Sequence, residues 1–458
     1  MSCDVLFTSV PYTETRIAPA APAVLIGMLK HHGYTGKFYD FNVQTLEDDL
    51  VKTFALGRPP GDPLKLDQIY RFHVNRMLKH DPRYIGISLF SYQCISSAQL
   101  LCIYIRTMAP DVKIILGGPG LSHNGLHGIN VGAEWQALSL CDHWVKSEGE
   151  NPIVKILQDS YTSTPEWEQI LNLDEFPIPD YESYDWNLYK KQIPITGSRG
   201  CVRQCTFCDI HTHWKKFVWR SGESIAREMI EQSEKHNISV FNFTDSLING
   251  SMKAYRDMCT VLANYNQTNP HKALEWGGQF IFRPANQMPD QMWKLSKEAG
   301  LNYVAIGIES LDEGIRDHMR KKFSNEDIFY GCESMRKHGI SSTFLMIVGY
   351  VTDTEETIQK QKDMFTELRK YAGNAIKKVA VGATLAILPG TPLAAKAKEN
   401  GVKLGKSEND WVGLYSDQET RLRWRTDLIE HCVQLGYTVP EHIGHDQLMT
   451  AGSVLKNA

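Results

Sequence analysis

The chain has 458 residues, of which 42% are hydrophobic and 22% charged. That balance supports sizeable buried cores in about two or three domains and excludes wholesale disorder and collagen-like or mucin-like repeats. Lys and Arg number 49 against 53 Asp and Glu, a net charge of −4, so there is no basic field to hold nucleic acid non-specifically.

Ten cysteines (Cys3, Cys94, Cys102, Cys141, Cys201, Cys205, Cys208, Cys259, Cys332 and Cys432) are thinly spread except for three crowded between 201 and 208. This is not the pattern of a disulfide-rich secreted framework. The first residues lack a basic stretch followed by an apolar run and a small-residue cleavage site, so no signal peptide is expected. No run approaches the roughly eighteen apolar residues of a membrane span. A reducing cytoplasmic setting follows as the expectation, and the cysteine cluster asks for metal or redox chemistry.

From residue 5 to about 157, short apolar runs alternate with helical patterns. VLFTSV at 5–10 reads as a strand, PAVLIGMLKHHG at 22–33 as a helix ending in basic residues and glycine, and GKFYDF at 36–41 as a second strand. A helix at 66–80, a strand at 84–90, a helix at 94–108, a strand at 113–118 ending in glycines, a strand at 143–149 and a closing helix at 151–159 complete the series. Strict alternation predicts a Rossmann-like, doubly wound parallel sheet over 1–160. Ligands of such sheets sit beyond the C-terminal strand ends, here SLFSY and GGPGLSHNG.

Residues 161–192 lack a clean period and contain Pro165, Pro177 and Pro179, which reads as a linker. A second alternating series then begins, with strands at 193–198, 239–245, 273–282, 303–310, 341–350 and 378–388 and helices between them. Six strand–helix units predict a partial (β/α)6 barrel over 193–390, whose active residues come from C-terminal strand ends. Residues 391–458 are more polar, with a helix near 419–435, and read as a small C-terminal cap.

The sharpest motif is Gly200-Cys201-Val202-Arg203-Gln204-Cys205-Thr206-Phe207-Cys208, a C-x3-C-x2-C loop directly after the first strand of the second series. Three thiolates on one short loop can surround a soft metal centre; a 4Fe-4S cluster fits them with one iron left without a protein ligand. S-adenosylmethionine can chelate that iron, and one electron then cleaves its sulfonium to release a 5′-deoxyadenosyl radical. His211 and His213 follow closely, and Cys3His is a legitimate zinc set, so a zinc-stabilised binding protein stands as the reading from another class.

The loop, its place after a strand and the series behind it resemble the radical S-adenosylmethionine superfamily. The resemblance implies that Cys201, Cys205 and Cys208 ligate the cluster. It places Phe207 near the adenine, Asp245 and Ser246 near the methionine amino end, Glu309 reaching the cofactor from the fourth strand, and Gly349 along the adenine. Arg283 is a weaker candidate for anion contact.

The phrases APAVLIGMLKHHGY, YIGISLF, KIILGGPG and KSEGENPIVKIL, followed by LDEFPIPDYESY and SRGC, widen the resemblance to the subgroup whose radical domain follows a cobalamin-binding-type domain. That subgroup includes methyltransferases acting on unactivated carbon or phosphorus and ring-forming or rearranging enzymes. It implies a small-molecule or peptide substrate, an electron donor such as flavodoxin or ferredoxin, and cobalamin-dependent methyl transfer, with a cobalamin-independent cyclase or rearrangement enzyme as the alternative. Ser88, Ser91, Gly117, Gly118 and Gly120 lie where a corrinoid nucleotide tail would pass. One departure stands out: no histidine among His31, His32, His73, His80, His123, His127 and His143 sits in a D-x-H-x-x-G motif, which argues against histidine ligation of cobalt.

Other groups have structural readings. Trp214 and Trp219 flank Lys215 and Lys216 as a loop packed over the cluster, and Arg421, Arg423 and Arg425 read as a solvated, salt-bridged helix. Asp353, Glu355 and Glu356 read as first-turn helix acids.

Overall fold

The computed structural model describes residues 2–11, 16–122 and 130–440. His123, His127 and the end of the expected cap, 441–458, lie outside the described residues. Two units divide the chain, Met1–Lys190 and Lys191–Ala458.

In the first unit, β1 (Cys3–Ser9), β2 (Gly36–Phe38), β3 (Pro82–Ser88), β4 (Lys113–Gly117) and β5 (His143–Val145) form one sheet of order β2-β1-β3-β4-β5. All its pairings are parallel. The near-continuous apolar runs of β1 and β3 follow from burial on both faces. The chain leaves β1 for β2 on one side and returns to β3 on the other, so the loops after β1 and β3 diverge, which is the crevice of a doubly wound sheet. The helices include α1 (Ala20–His31), α2 (Pro63–Leu78), α3 (Ile95–Met108) and α4 (Glu150–Leu157). Short helices at Phe41–Gln44, Asp49–Ala55 and Val131–Ala137 were not legible as separate elements.

The stretch read as a linker belongs instead, up to Lys190, to the first unit. A Cβ on Gly27 of α1 would meet the carbonyl oxygen of Ile178 at 2.7 Å, so 178–179 lies directly on that helix. Asp180 N donates to Ala23 O at 2.9 Å, Lys30 Nζ reaches Asp180 at 2.8 Å, and Tyr184 Oη donates to Pro19 O at 2.8 Å. Its prolines shape an extended path, while Tyr181, Tyr184 and Tyr189 supply the buried area that fastens it.

In the second unit, β6 (Ile193–Ile195), β7 (Val240–Phe243), β8 (Glu275–Phe280), β9 (Leu301–Glu309), β10 (Ser341–Met346) and β11 (Ile376–Val381) pair in sequence order, all parallel. Sequential order with helical crossovers is the topology of an open (β/α) barrel. The crossovers are α5 (Gly222–His236), α6 (Met252–Thr268), α7 (Asp290–Glu298), α8 (Glu313–His318) with α9 (Asn325–His338), and α10 (Glu355–Ala372). Ser221 caps α5 by accepting from Ser224 N, and Asn237 closes it in the left-handed conformation.

The described part of the expected cap is integral to this unit. It comprises α11 (Pro392–Ala395), a hairpin pairing Lys403–Leu404 with Trp411–Val412, and α12 (Gln418–Gln434). Thr438 adds a parallel bridge to Lys378 at the β11 edge. Arg421 departs from the expected solvated face: it is 0% exposed, its guanidinium lies 3.6 Å from the Trp411 ring centroid and Nη2 donates to Trp411 O at 2.9 Å. Arg425 donates to the carbonyls of Gly382 and Val381, and Arg423 alone is the exposed, salt-bridged one, paired with Glu355.

After β10 the chain turns at Gly349, with φ +77. A Cβ there would meet Arg421 Cγ and Cδ at 2.5 Å, so both backbone and packing require glycine. Asp353, read as a first-turn helix acid, holds this turn: its Oδ2 accepts from Gly349 N at 3.0 Å and Tyr350 N at 2.8 Å, and Oδ1 from Thr357 Oγ1 at 3.0 Å. The N-cap is its neighbour Thr354. Burial, only partly offset by these donors, lifts the Asp353 carboxyl from 3.8 to about 6. The folded state therefore holds a proton that the unfolded state releases between these values, and the stability this contributes is complete below about 4 and lost as pH rises through about 6. We expect the Tm of the wild type to fall relative to Asp353→Asn as pH is raised from about 4 to about 6.5. Parallel Tm–pH curves for the two proteins would contradict this.

Candidate active site

The cysteine loop leaves the C-terminal end of β6. Ser198–Arg199 makes a short antiparallel pair with Val218–Trp219, so the segment after the loop folds back over its start. Gly200 turns with φ +82, and a Cβ there would strike Lys216 O at 2.8 Å and Trp214 Cβ at 3.2 Å. Trp214 and Lys216 therefore pack over the entry to the loop. Trp219 is half exposed and stacks on Phe217, with centroids 5.4 Å apart.

Cys205 is buried, and Cys201 and Cys208 are half-buried. Burial pushes the Cys205 thiol up, with Lys321 and Arg203 opposing, and pushes Cys208 up to about 12. Metal binding would displace these protons. Arg203 N lies 3.4 Å from Cys201 Sγ. Arg203 Nε is buried without a hydrogen-bond partner, and its charge is felt by both Cys201 and Cys205. An orphaned donor beside soft anionic acceptors suits a sulfur-rich, negatively charged centre. Among the described residues no three His, Cys, Asp or Glu side chains converge on one ion, and His211 Nε2 is engaged with Arg203 O rather than with the thiols. A single zinc needs such convergence. A cluster does not, because each thiolate binds a different iron, so the donor set fits 4Fe-4S.

Glu309, at the end of β9, has φ +65, which a non-glycine residue adopts only when its surroundings enforce it. Its Oε1 lies 2.8 Å from Lys321 Nζ in a largely buried ion pair. The pair folds back over the strand, since a Cβ on Gly307 would meet Glu309 Oε1 at 2.4 Å and Lys321 Nζ at 3.0 Å. Burial alone would lower Lys321, but Glu309 and then Cys205 outweigh it and hold the ammonium above its ordinary value. Lys321 also stands 5.9 Å from the Phe207 ring centroid. The sequence reading missed Lys321. It sits in the run Arg320-Lys321-Lys322, which looks solvated, and only the left-handed backbone at Arg320 and Lys322 (φ +63 and +55) signals the turn that tucks the middle residue in.

Phe207 packs against a core group containing Tyr350, Leu385, Ile387 and Leu393. The structure thus gathers Cys205, Phe207, Glu309 and Lys321 in one neighbourhood. Asp245 does something other than reach outward. It is 3% exposed, and its Oδ2 accepts from Gly197 N at 2.9 Å while Oδ1 accepts from Ser198 Oγ at 2.5 Å. It braces the chain entering the cysteine loop, and burial lifts its carboxyl to about 6. Ser246 beside it is half-buried. Arg283 is not available to an anion in the way the sequence implied, because its guanidinium donates to Asn249 O, Gly250 O and Gln287 Oε1.

In the first unit the candidate residues follow β3 and β4. Gly118 has φ +105, and a Cβ on it or on Gly120 would strike Leu89 O at 2.5 and 2.9 Å. Leu89 N donates to Gly117 O at 2.7 Å and Gly120 N to Leu89 O at 2.8 Å. These two glycines serve the close approach of two backbones. Gly117 differs: a Cβ there would meet nothing within 4 Å. Ser88 and Ser91 are half-buried beside it in sequence and strand order, with Ser88 paired to Gly117.

No helix among the described residues is long and apolar enough to cross a membrane. Residues 195–364 match the model of the Radical SAM superfamily, a span that contains the three cysteines, Glu309 and Gly349. The chain is 23% identical over 344 residues to an uncharacterized methyltransferase of Pyrococcus horikoshii, covering 67% of this chain and 71% of that protein. It is 21% identical over 383 residues to an anaerobic magnesium-protoporphyrin IX monomethyl ester cyclase of Rubrivivax gelatinosus, covering 76% of this chain and 61% of the cyclase. The solved structure of TsrM, a radical S-adenosylmethionine methyltransferase from Kitasatospora setae with cobalamin and a 4Fe-4S cluster bound, matches with a TM-score of 0.63 at 15% identity, covering 88% of this chain and 80% of that one; at this identity the likeness is one of fold. Residues 195–364 of this chain are thus a radical S-adenosylmethionine domain by their match to that superfamily's model.

Proposed function

We propose that this protein is a radical S-adenosylmethionine enzyme that binds cobalamin in its first unit and methylates an unactivated position of a small-molecule or peptide substrate. The observation that carries the reading is the C-x3-C-x2-C loop at the C-terminal edge of a six-stranded, sequentially ordered parallel sheet. Cys201, Cys205 and Cys208 would hold the cluster, with Arg203 and Lys321 offsetting its negative charge. When bound, the cluster supplies one-electron reductive cleavage of S-adenosylmethionine. The electron would come from a carrier such as flavodoxin or ferredoxin.

Phe207 offers an apolar ring to the adenosine, and the Gly349 turn offers its backbone edge. Glu309, already fixed by Lys321, presents a carboxylate where a ribose hydroxyl or an ammonium can donate to it, and Lys321 can in turn meet a carboxylate. Asp245 acts one step back by fixing Gly197 and Ser198, and Ser246 is left to contact the methionine end.

Cobalamin is supported by three things: the fold shared with TsrM, the methyltransferase name of the Pyrococcus relative, and the chemistry of the β3–β4 edge. There Ser88 and Ser91 with the bare Gly117 form a small polar margin, whereas Gly118 and Gly120 shape the backbone beneath it. His31 ends α1, His32 and His80 follow helix C-termini and His143 opens β5, all at the edge where the strands begin. His73 is buried with Nδ1 2.6 Å from Tyr39 Oη. None of these described histidines is placed to ligate cobalt at the opposite edge, in keeping with the missing D-x-H-x-x-G motif.

Anaerobic reconstitution should give about four irons and four sulfides per chain, and the Cys201, Cys205, Cys208→Ala triple variant should lose both and all cleavage of S-adenosylmethionine. Stoichiometric zinc without sulfide would overturn the cluster. Separately, the wild type should retain a corrinoid on purification, and Gly117→Leu should reduce its content several-fold without changing iron. A corrinoid-free protein that still turns over would move the chain to the ring-forming or rearranging enzymes.

A further inference from the structure

We propose that Tyr350 is a positioning residue whose hydroxyl locks the cysteine loop to the Gly349 turn, so that cluster geometry and S-adenosylmethionine binding are coupled. This rests on the reading above, in which the loop holds the cluster and the turn meets the adenosine.

Thr206 lies between the second and third cysteines, is 8% exposed, and commits all of its hydrogen-bonding groups. Its N donates to Met319 O at 3.1 Å, its carbonyl accepts from Leu393 N at 2.8 Å, and its Oγ1 lies 2.8 Å from Tyr350 Oη. The first two bonds join backbone to backbone and set the path of the loop. Only the third joins it to the residue next to Gly349.

Tyr350 is 0% exposed, in the core group that also holds Phe207, Met319 and Leu393. A phenylalanine would fill the same space. The hydroxyl is thus a polar group placed in a fully buried position, which is costly unless it is bonded. It is bonded twice, since His318 Nδ1 lies 2.9 Å away on its other side. One hydroxyl can donate to one partner and accept from the other.

At its other end Tyr350 is equally fixed. Its amide and that of Gly349 both donate to Asp353 Oδ2. Asp353 Oδ1 accepts from Thr357, and Gln361 Nε2 lies 3.4 Å from the same oxygen. The Gln361 side-chain oxygen accepts from Leu311 N at 3.3 Å, two residues beyond Glu309. The ring of Tyr350 is therefore a rigid strut in one continuous network joining the cysteine loop, the Gly349 turn and the end of β9. A ligand that orders the turn biases the loop, and by linkage a cluster that orders the loop raises affinity at the turn by the same factor.

The test uses the reconstituted full-length protein, with S-adenosylmethionine as the probe. Its affinity is measured by equilibrium dialysis, and the reduced cluster is observed by electron paramagnetic resonance with and without it. Tyr350→Phe and Thr206→Val should each keep wild-type iron and sulfide and stay folded, with Tm lowered by no more than roughly a few degrees. Each should lose about three- to tenfold in affinity, the scale of one buried hydrogen bond, and should diminish the change that S-adenosylmethionine makes to the spectrum. The double variant should be no weaker than either single one, and Thr206→Ser should restore both readouts. Wild-type affinity and spectrum in Tyr350→Phe, or additive losses in the double variant, would overturn the coupling. A wild-type chain that takes up no iron and sulfide would instead overturn the cluster reading beneath it.

Discussion

Charge that is buried at the end of a parallel strand must be answered locally, and that requirement organises the second unit. Six parallel strands in sequence order deliver their C-terminal ends to one edge, and three carboxylates arise where β7, β9 and β10 run out: Asp245, Glu309 and Asp353. No strand ladder continues there to absorb them. Two are answered by backbone amides and hydroxyls: Asp245 braces the entry to the cysteine loop and Asp353 the turn it follows. The third is answered by Lys321 and remains a charged pair beside Cys205. One residue type in one topological position thus performs two different tasks, decided by whether the neighbouring loop returns an ammonium or a peptide N–H.

This explains what the sequence made legible. Both alternating series and the sheet-forming strands were readable because apolar periodicity depends on burial alone, and the cysteine loop because its spacing places three soft donors on one turn. Asp245 and Glu309 were both readable as polar strand ends but not distinguishable, since the difference lies in Gly197, Ser198 and Lys321, which come from other segments. Lys321 and Arg421 were hidden in basic runs whose composition suggests solvent. The former is buried by a left-handed turn and the latter by the ring of Trp411 and the missing side chain of Gly349. The 161–190 stretch was misread for the converse reason. Proline and an absent period announce irregular backbone, and irregular backbone with enough tyrosine can pack as firmly as a helix.

The glycines show the same limit at finer grain. Gly117, Gly118 and Gly120 are equivalent in the sequence as the end of a strand rich in turn residues. In the structure, Gly118 and Gly120 are required by the Leu89 backbone, and only Gly117 faces open space. A glycine demanded by its own chain gives no information about a ligand. One that could carry a side chain without collision does, because its bareness then has to be explained by something that approaches from outside or by chance.

The two units therefore differ in how far their edges are built in advance. In the second, the polar groups around the cysteine loop are largely bonded to one another, and a cofactor entering there meets groups whose ordering has already been accomplished by folding. Arg203 Nε differs, a buried donor left unanswered beside two thiols. Its desolvation persists until something anionic and diffuse arrives. That unanswered donor, lying beside the thiols rather than in the core, marks where folding stops and cofactor binding begins.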